Sequence, residues 1–161
     1  QTRRGLVDVA EVARRTMHLL QPLADAQNVS IVTDLAAGCT VLASADDLYQ
    51  IIFNLMENGI KYNLSGGSVR LTLRRQEAVV RFTVEDTGIG IPEEDLQSVF
   101  ERFYRVDKAR SRASGGSGLG LSIVHDAVEA NGGSVEAARR QPNGTRFTVT
   151  FPYYAEKEAR G

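Results

Sequence analysis

Residues 44–61 carry an apolar pattern whose members all lie on one face only if the segment is helical. The pattern has the spacing i, i+3, i+4, i+7, i+8, i+11 and consists of Leu48, Ile51, Ile52, Leu55, Met56 and Gly59. Ser44 precedes it, and Asp46 and Asp47 follow Ser44, which predicts an N-cap with acidic residues in the first turn. The segment is therefore predicted to be a long amphipathic helix.

The rest of the chain alternates helical segments with pairs of strands. The predicted order is α, β, β, α, β, β, α, α, β, β, with helices over 7–27, 44–61, 93–100 and 119–130 and strands over 29–35, 39–43, 68–75, 78–86, 134–138 and 144–152. Strand pairs separated by helices favour an α+β fold, a two-layer α/β sandwich, over a doubly wound parallel sheet.

Length and charge narrow the possible functions. The 161 residues fit one domain, which we expect to span 1–154, with 155–161 as a frayed tail. A net charge of -1 predicts neither nucleic-acid binding nor attraction to an anionic membrane. The single Cys39 excludes an internal disulfide and a cysteine-cluster metal site. The chain contains neither a signal-peptide pattern nor an apolar run of about 18 residues, so we expect no membrane insertion by this segment. Because it begins without Met, we expect a piece of a longer protein.

The stretch NLMENGIKYN (54–63) places two asparagines in the helix although asparagine has poor helix propensity. At about 100° per residue, Asn54, Asn58 and Lys61 fall on one side, opposite the apolar stripe. A merely solvated face would favour Glu, Lys or Gln, and it stays the alternative for either asparagine. A short amide oxygen suits a hydrated Mg²⁺ and its phosphates, with Lys61 supplying charge and Tyr62 an apolar face for a flat ligand.

The stretch EDTGIGIP (85–92) ends a predicted strand with a carboxylate and two glycines. Asp86 is followed by Gly88 and Gly90, and glycine allows a backbone to approach a ligand closely. A carboxylate beside such a turn can accept a hydrogen bond from an exocyclic amine. A simple strand-ending turn is the alternative.

A third stretch, ASGGSGLGLSIV (113–124), opens a predicted helix with four glycines, so free N–H groups face any ligand bound there. It is neither a P-loop, because Gly120 is followed by Leu121 and Ser122, nor a dinucleotide fingerprint, because Leu121 stands where the third glycine belongs. A glycine-rich hinge is the alternative. The preceding residues 102–112 hold five cations and one aspartate, a composition typical of a lid over phosphates.

Five segments in this order and spacing resemble the N, G1, F, G2 and G3 boxes of the catalytic ATP-binding domain of sensor histidine kinases, in the superfamily of DNA gyrase B, Hsp90 and MutL ATPases. They are NLMENGIKYN, EDTGIGIP, FERFYR, GGSGLGLSIV and NGTRFTVTFP. The resemblance covers roughly residues 7–153. It implies a Bergerat-type fold, with a mixed sheet of about five main strands packed on three main helices, and the cofactors ATP and Mg²⁺.

The resemblance also implies a role for each matching residue. The residues expected at the nucleotide are Asn58, Lys61, Tyr62, Asp86, Gly88, Gly90, Gly116, Gly118, Leu119, Gly120 and Thr145. Among them Asn58 would ligate Mg²⁺, Asp86 would accept from the adenine 6-amino group, and Thr145 would join the water network around Asp86. Asn54, Lys61 and Arg105 would position the phosphates. Phe100, Phe103 and Arg105 would anchor the lid.

The implied reaction is transfer of the ATP γ-phosphoryl group to a histidine on a separate dimerisation and phosphoacceptor domain of the same kinase, for relay to a response regulator. His18 lacks an acidic neighbour and His125 lies on the helix after the glycines, so neither is expected to be the acceptor. The implied location is cytoplasmic, with a membrane-anchored parent protein. Two features depart from the family pattern: Asn131 stands where His is common, and Gly59 where Ala is common.

Two alternatives remain at this stage. One is a related member of the same superfamily, such as a serine kinase acting on anti-sigma systems or a nucleotide-hydrolysing clamp, against which the FERFYR box and the basic stretch argue. The other is a non-catalytic nucleotide-sensing module. The complete set of boxes favours an active kinase domain over that module.

Overall fold

The computed structural model describes residues 3–101 and 120–155, and these form one mixed sheet, a separate two-stranded ribbon and three α-helices. In chain order the elements are β1 (Arg4–Asp8), α1 (Val9–Ala26), β2 (Ser30–Leu35), β3 (Thr40–Ser44), α2 (Ala45–Lys61), β4 (Ser68–Gln76), β5 (Val79–Asp86), a 3-10 turn (Glu93–Asp95), α3 (Gly120–Ala130), β6 (Ser134–Arg139) and β7 (Thr145–Pro152). The predicted α+β class is confirmed.

The main sheet has the strand order β2-β4-β5-β7-β6. Only β2 and β4 run parallel among these pairs, so the sheet is mixed, as the family resemblance implied. β3 follows β2 in the chain but leaves this sheet and pairs antiparallel with β1. The five-stranded sheet and its three helices therefore match the predicted architecture, whereas the β1–β3 ribbon is an addition.

Two sequence-based predictions of local structure were wrong. Residues 4–8 were not predicted as a strand, because this short segment is mostly exposed and owes its extended form to pairing with β3. Residues 93–100 were predicted as a helix, but only Glu93–Asp95 form a single 3-10 turn. Pairing with β3 accounts for residues 4–8, and a segment as short as 93–100 has only a weak preference of its own for a helix.

The helices pack on one face of the sheet, with α2 between α1 and α3. All six positions of the predicted apolar stripe of α2 are buried. On the sheet, β5 alternates in the same sense: Val80, Phe82 and Val84 are buried, and Arg81 is exposed. Each such fully buried aliphatic or aromatic side chain stabilises the fold by about 1.5–3 kcal/mol relative to an exposed one. No helix in the described parts of the chain is long and apolar enough to cross a membrane.

The start of α2 is fixed by hydrogen bonds from two directions. Ser44 acts as the predicted N-cap, its hydroxyl accepting from the Asp47 N–H at 3.2 Å. Asn131, just after α3, donates from its amide to the Asp47 carboxylate at 2.9 Å and to the carbonyl of Ala127 at 2.8 Å. Its amide oxygen accepts from the Ser44 N–H at 2.9 Å. Asn131 therefore joins the end of α3 to the beginning of α2.

Candidate nucleotide site

The last turn of α2 lies directly against the end of β5. A Cβ added at Gly59 would lie 3.5 Å from the Cβ of Asp86 and 3.2 Å from a methyl carbon of Val69. One turn further, the carbonyl of Tyr62 accepts from the N–H of Ile89 at 3.3 Å. The last turn of α2 therefore packs closely against the end of β5 that carries Asp86.

Asp86 is a buried carboxylate, with 6% of its surface exposed. Its Oδ1 accepts from the N–H of Gly88 at 2.8 Å, and the main chain of Thr145 also hydrogen-bonds the carboxylate. Loss of hydration raises the pKa of Asp86 to about 6, although these two hydrogen bonds and the nearby Arg140 act in the opposite direction. A carboxylate has about four lone-pair sites, so Asp86 keeps capacity to accept from a ligand amine.

The glycines around Asp86 are required by the protein's own backbone. A Cβ at Gly88 would overlap the carbonyl oxygen of Tyr62 and lie 3.0 Å from Oδ1 of Asp86. Gly90 has φ +78°, a conformation that favours glycine. The sequence pattern had suggested close approach of a ligand, and the structure adds an internal reason for Gly88.

Hydrogen bonds that the sequence analysis missed connect the loop after α2 to the turn after β5. They involve Asn63, Ser68 and Thr87. The Thr87 hydroxyl accepts from the N–H of Ser68 at 2.9 Å and donates to Oδ1 of Asn63 at 3.3 Å. The amide of Asn63 donates to the carbonyl of Ser68 at 2.9 Å. Asn63 and Thr87 both lie within motifs that were recognised, but they are 24 residues apart, so no local pattern indicated that they meet.

Asn143 approaches the same turn from the β6–β7 connection. Its amide nitrogen donates to the carbonyl of Thr87 at 2.6 Å and reaches the carbonyl of Gly88 at 3.4 Å. The sequence indicated a turn at QPNG but did not indicate what the asparagine side chain contacts. Asn63, which precedes the turn after β5 in the chain, and Asn143, which follows it, therefore both hydrogen-bond to this turn.

The predicted polar face of α2 is present and partly buried. Asn54, Asn58 and Lys61 are each intermediate in exposure. The Lys61 ammonium lies 3.9 Å from the carboxylate of Glu57, one turn earlier. The amide nitrogen of Asn54 is buried and has no hydrogen-bond partner among the described residues. Leaving such a donor unpaired costs about 1–3 kcal/mol. An acceptor atom on a bound ligand would remove this cost.

This donor set suits a hydrated magnesium ion better than a protein-enclosed metal. The described residues contain no group of three or more His, Cys, Asp or Glu that could hold a metal. Mg²⁺ usually keeps several waters and takes few protein ligands besides substrate phosphates. The side-chain oxygen of Asn58 is a suitable ligand of this kind. The amide of Asn54, on the same helix face, is paired with none of the residues that the structure describes and can donate to a metal-bound water or phosphate oxygen.

Of the segment expected to contact the phosphates, the structure describes only the residues before 102 and after 119. Gly120 begins α3 and is exposed, and a Cβ there would meet no described atom within 4 Å. The predicted site residues Arg105, Gly116, Gly118 and Leu119 lie outside the described residues, as do Phe103 and the basic stretch 102–112. Phe100 is described, and its ring centroid lies 6.1 Å from that of Phe147 and 5.7 Å from that of His125.

Comparison with known proteins finds relatives of this chain. A family profile described as "Histidine kinase-, DNA gyrase B-, and HSP90-like ATPase" matches residues 43–155. The sensor-like histidine kinase SenX3 of Mycolicibacterium smegmatis is 39% identical over 153 residues, which are 95% of this chain and 40% of that protein. This chain therefore spans less than half the length of that curated relative.

Solved structures agree with the sequence match. The mycobacterial sensor histidine kinase MprB superposes with a TM-score of 0.82 at 26% identity, covering 93% of this chain and 97% of that one. Full-length ShkA, crystallised in complex with AMPPNP, superposes with a TM-score of 0.82 at 29% identity, covering 96% of this chain and 32% of that one.

Proposed function

The chain belongs to the histidine kinase-, DNA gyrase B- and HSP90-like ATPase family, and from this premise we propose that it is the ATP-binding catalytic domain of a sensor histidine kinase. In this proposal it transfers the γ-phosphoryl group of ATP to a histidine on a separate dimerisation and phosphoacceptor domain of the same kinase. The domain spans residues 1–154, with 155–161 as a tail.

The observation that carries the proposal is the buried carboxylate of Asp86 beside the last turn of α2. A buried acceptor that keeps free lone pairs suits the 6-amino group of adenine, whereas guanine presents a carbonyl at that position and would be repelled. Tyr62 lies at the end of the same helix, where its ring can pack near the adenine or ribose. Gly88, Gly90 and Thr145 complete the base side of the site.

At the phosphate side, Asn58 would ligate Mg²⁺, Lys61 would contact the phosphates and Asn54 would donate to the metal's water shell. Magnesium would supply positive charge that neutralises the phosphates. Arg105, Gly116, Gly118, Leu119 and Gly120 are proposed to contact the phosphates as well. The remaining contribution of the chain is positioning and charge stabilisation, so no general base is required within it.

The proposed partners follow from this reaction. The direct partner is the phosphoacceptor domain, and a response regulator receives the phosphoryl group afterwards. We propose a cytoplasmic location, on a parent kinase that is anchored in the membrane elsewhere in its chain. Neither nucleic-acid binding nor membrane insertion is part of the proposed role of this segment.

Incubation with γ-labelled ATP and Mg²⁺ tests the proposal. The chain alone should remain unlabelled, because His18 is exposed on α1 without an acidic neighbour and His125 lies on α3, the helix that follows the glycines. Adding the phosphoacceptor domain of the parent kinase should label that domain slowly, because tethering normally supplies a high effective concentration. The Asn58→Ala variant in the same mixture serves as the control and should not transfer.

Two results would contradict the proposal. Nucleotide binding without any transfer to the phosphoacceptor domain would favour a nucleotide-sensing module. Acid-labile, base-stable label on the isolated chain would identify one of its own two histidines as an acceptor.

A further inference from the structure

The peptide unit between Thr87 and Gly88 is held at both of its polar ends. Its carbonyl oxygen, on Thr87, accepts from the amide of Asn143 at 2.6 Å. Its N–H, on Gly88, donates to Oδ1 of Asp86 at 2.8 Å. One hydrogen-bonded chain thus runs from the Asn143 side chain through a single rigid peptide plane to the Asp86 carboxylate.

We propose that Asn143 is a positioning residue for nucleotide-base recognition: it orients the Thr87–Gly88 peptide, and through it the Asp86 carboxylate. The proposal rests on the proposed function of the site. Since a peptide is planar, holding its carbonyl also fixes the direction of its N–H. Hydrogen bonds in such a chain polarise one another, so the bond from Asn143 also strengthens the donor that faces Asp86.

The side chain of Asn143 is not needed to close the turn that carries it. The Arg140 N–H donates to the Gly144 carbonyl at 3.0 Å, and the Arg140 guanidinium donates to the Asn143 carbonyl at 3.2 Å. The same guanidinium lies 3.4 Å from the carboxylate of Glu85. The turn is therefore closed by Arg140 and main-chain groups, while the amide of Asn143 is directed across to the neighbouring turn.

Three substitutions of Asn143 distinguish the contribution of its amide donor from that of the rest of the side chain. Asn143→Ala removes the hydrogen bond, and we expect about 3–10-fold weaker binding of ADP, the range for one neutral hydrogen bond. Asn143→Asp places an acceptor against the Thr87 carbonyl and should weaken binding further. Asn143→Gln keeps a donor and should restore part of the affinity. Gln141→Ala, at another exposed residue of the same turn, is the matched control.

Two measurements on the intact chain distinguish positioning from a general structural effect. The first is the ratio of ADP to GDP affinity by titration calorimetry, which should fall in Asn143→Ala and stay at the wild-type value in Gln141→Ala. The second is the NMR titration of the Asp86 carboxyl carbon without nucleotide. Its pKa should rise in Asn143→Ala, because a weakened N–H donor favours the neutral acid.

The outcomes are separable from those of the proposed function. If wild type binds ADP but Asn143→Ala keeps the wild-type base preference and Asp86 pKa, Asn143 is not a positioning residue and the proposed function stands. If wild type fails to bind adenine nucleotides, the proposed function fails and this proposal fails with it. Should Asn143→Ala unfold, Asn143→Asp against Asn143→Gln provides the same comparison.

Discussion

Gly144 packs against the main-chain carbonyl of Asp86 with no room for a side chain between them. A Cβ at residue 144 would overlap the carbonyl oxygen of Asp86 and lie 2.7 Å from its carbonyl carbon. Gly144 also has φ +106°, which L side chains rarely adopt. The β6–β7 turn and the end of β5 are therefore in direct backbone contact beside the candidate site.

Gly144→Ala should consequently destabilise the chain and impair nucleotide binding together. Gly132→Ala is the matched control, because Gly132 has φ +80° but a Cβ there meets no described atom within 4 Å. The control should lose about 1 kcal/mol from backbone strain alone, and Gly144→Ala clearly more. Urea unfolding and ADP titration of both variants measure this, and equal losses would mean that the turn can move away from Asp86.

Asp86→Asn should reduce the binding free energy of adenine nucleotides by more than it reduces the free energy of unfolding. The amide can present a donor to the adenine 6-amino group, leaving a buried contact unpaired at a cost of about 1–3 kcal/mol. The preference for ATP over GTP should fall accordingly in competition titrations. A variant that still prefers ATP as strongly as wild type would remove Asp86 from base recognition.

The raised pKa of Asp86 predicts a specific pH dependence of stability. The folded-state pKa of about 6 lies above the ordinary aspartate value of 3.8, so the folded chain binds this proton more tightly than the unfolded chain. Stability from this group is therefore present at low pH and is lost as pH rises from about 4 to above 6. Between pH 4.5 and 7.5 the loss is about 2 kcal/mol.

Asp86→Asn is the natural comparison for that pH dependence, because it keeps the shape and cannot ionise. Urea unfolding at both pH values measures this difference. From pH 4.5 to pH 7.5, the free energy of unfolding of the variant should rise by about 2 kcal/mol relative to that of wild type. Parallel pH profiles would show that the ionised carboxylate is not penalised in the folded state.

The two asparagines of α2 should respond differently to removal of their side chains. Asn58→Ala should abolish Mg²⁺-dependent nucleotide binding in a folded protein. Asn54→Ala removes a buried donor that has no partner in the described chain and improves helix propensity, so the nucleotide-free protein should melt at the same temperature or higher. Its stabilisation by ATP and Mg²⁺ should nevertheless decrease.

Thermal melts with and without ATP and Mg²⁺ measure both effects. Gln50→Ala, at an exposed position on the same helix, is the control and should behave as wild type. A clear drop in the melting temperature of nucleotide-free Asn54→Ala would show that this amide is satisfied within the protein. Unchanged ATP·Mg²⁺ affinity in Asn58→Ala would exclude Asn58 as the metal ligand.

Asn131→Ala should destabilise the fold without changing base preference. The substitution removes two hydrogen bonds to the beginning of α2 and one to the Ala127 carbonyl of α3, and it leaves the buried Ser44 N–H unpaired. We expect a loss of about 1–3 kcal/mol in urea unfolding. Asn131→His, the residue common in the resembling family, can restore a donor or an acceptor but not both in the same geometry, and should recover part of this loss.

The amino-acid sequence by itself determined the elements whose causes lie within a few residues. The apolar spacing of α2 and the Ser44 cap predicted that helix, and the alternation of β5 placed Asp86 at a strand end beside glycines. Ordered motifs then indicated which of these polar residues share a nucleotide site. Helical periodicity, capping and strand alternation are local, so they can be derived from neighbouring residues alone.

Only the tertiary structure decided the contacts that shape the site. Strand order places β7 beside β5, which brings Asn143 to a peptide 56 residues earlier in the chain and Gly144 onto the Asp86 carbonyl. Burial then raises the pKa of Asp86 to about 6 and leaves the Asn54 amide without a partner in the described chain. These properties depend on the dielectric and the neighbours that distant segments provide, and no local pattern encodes which segments those are.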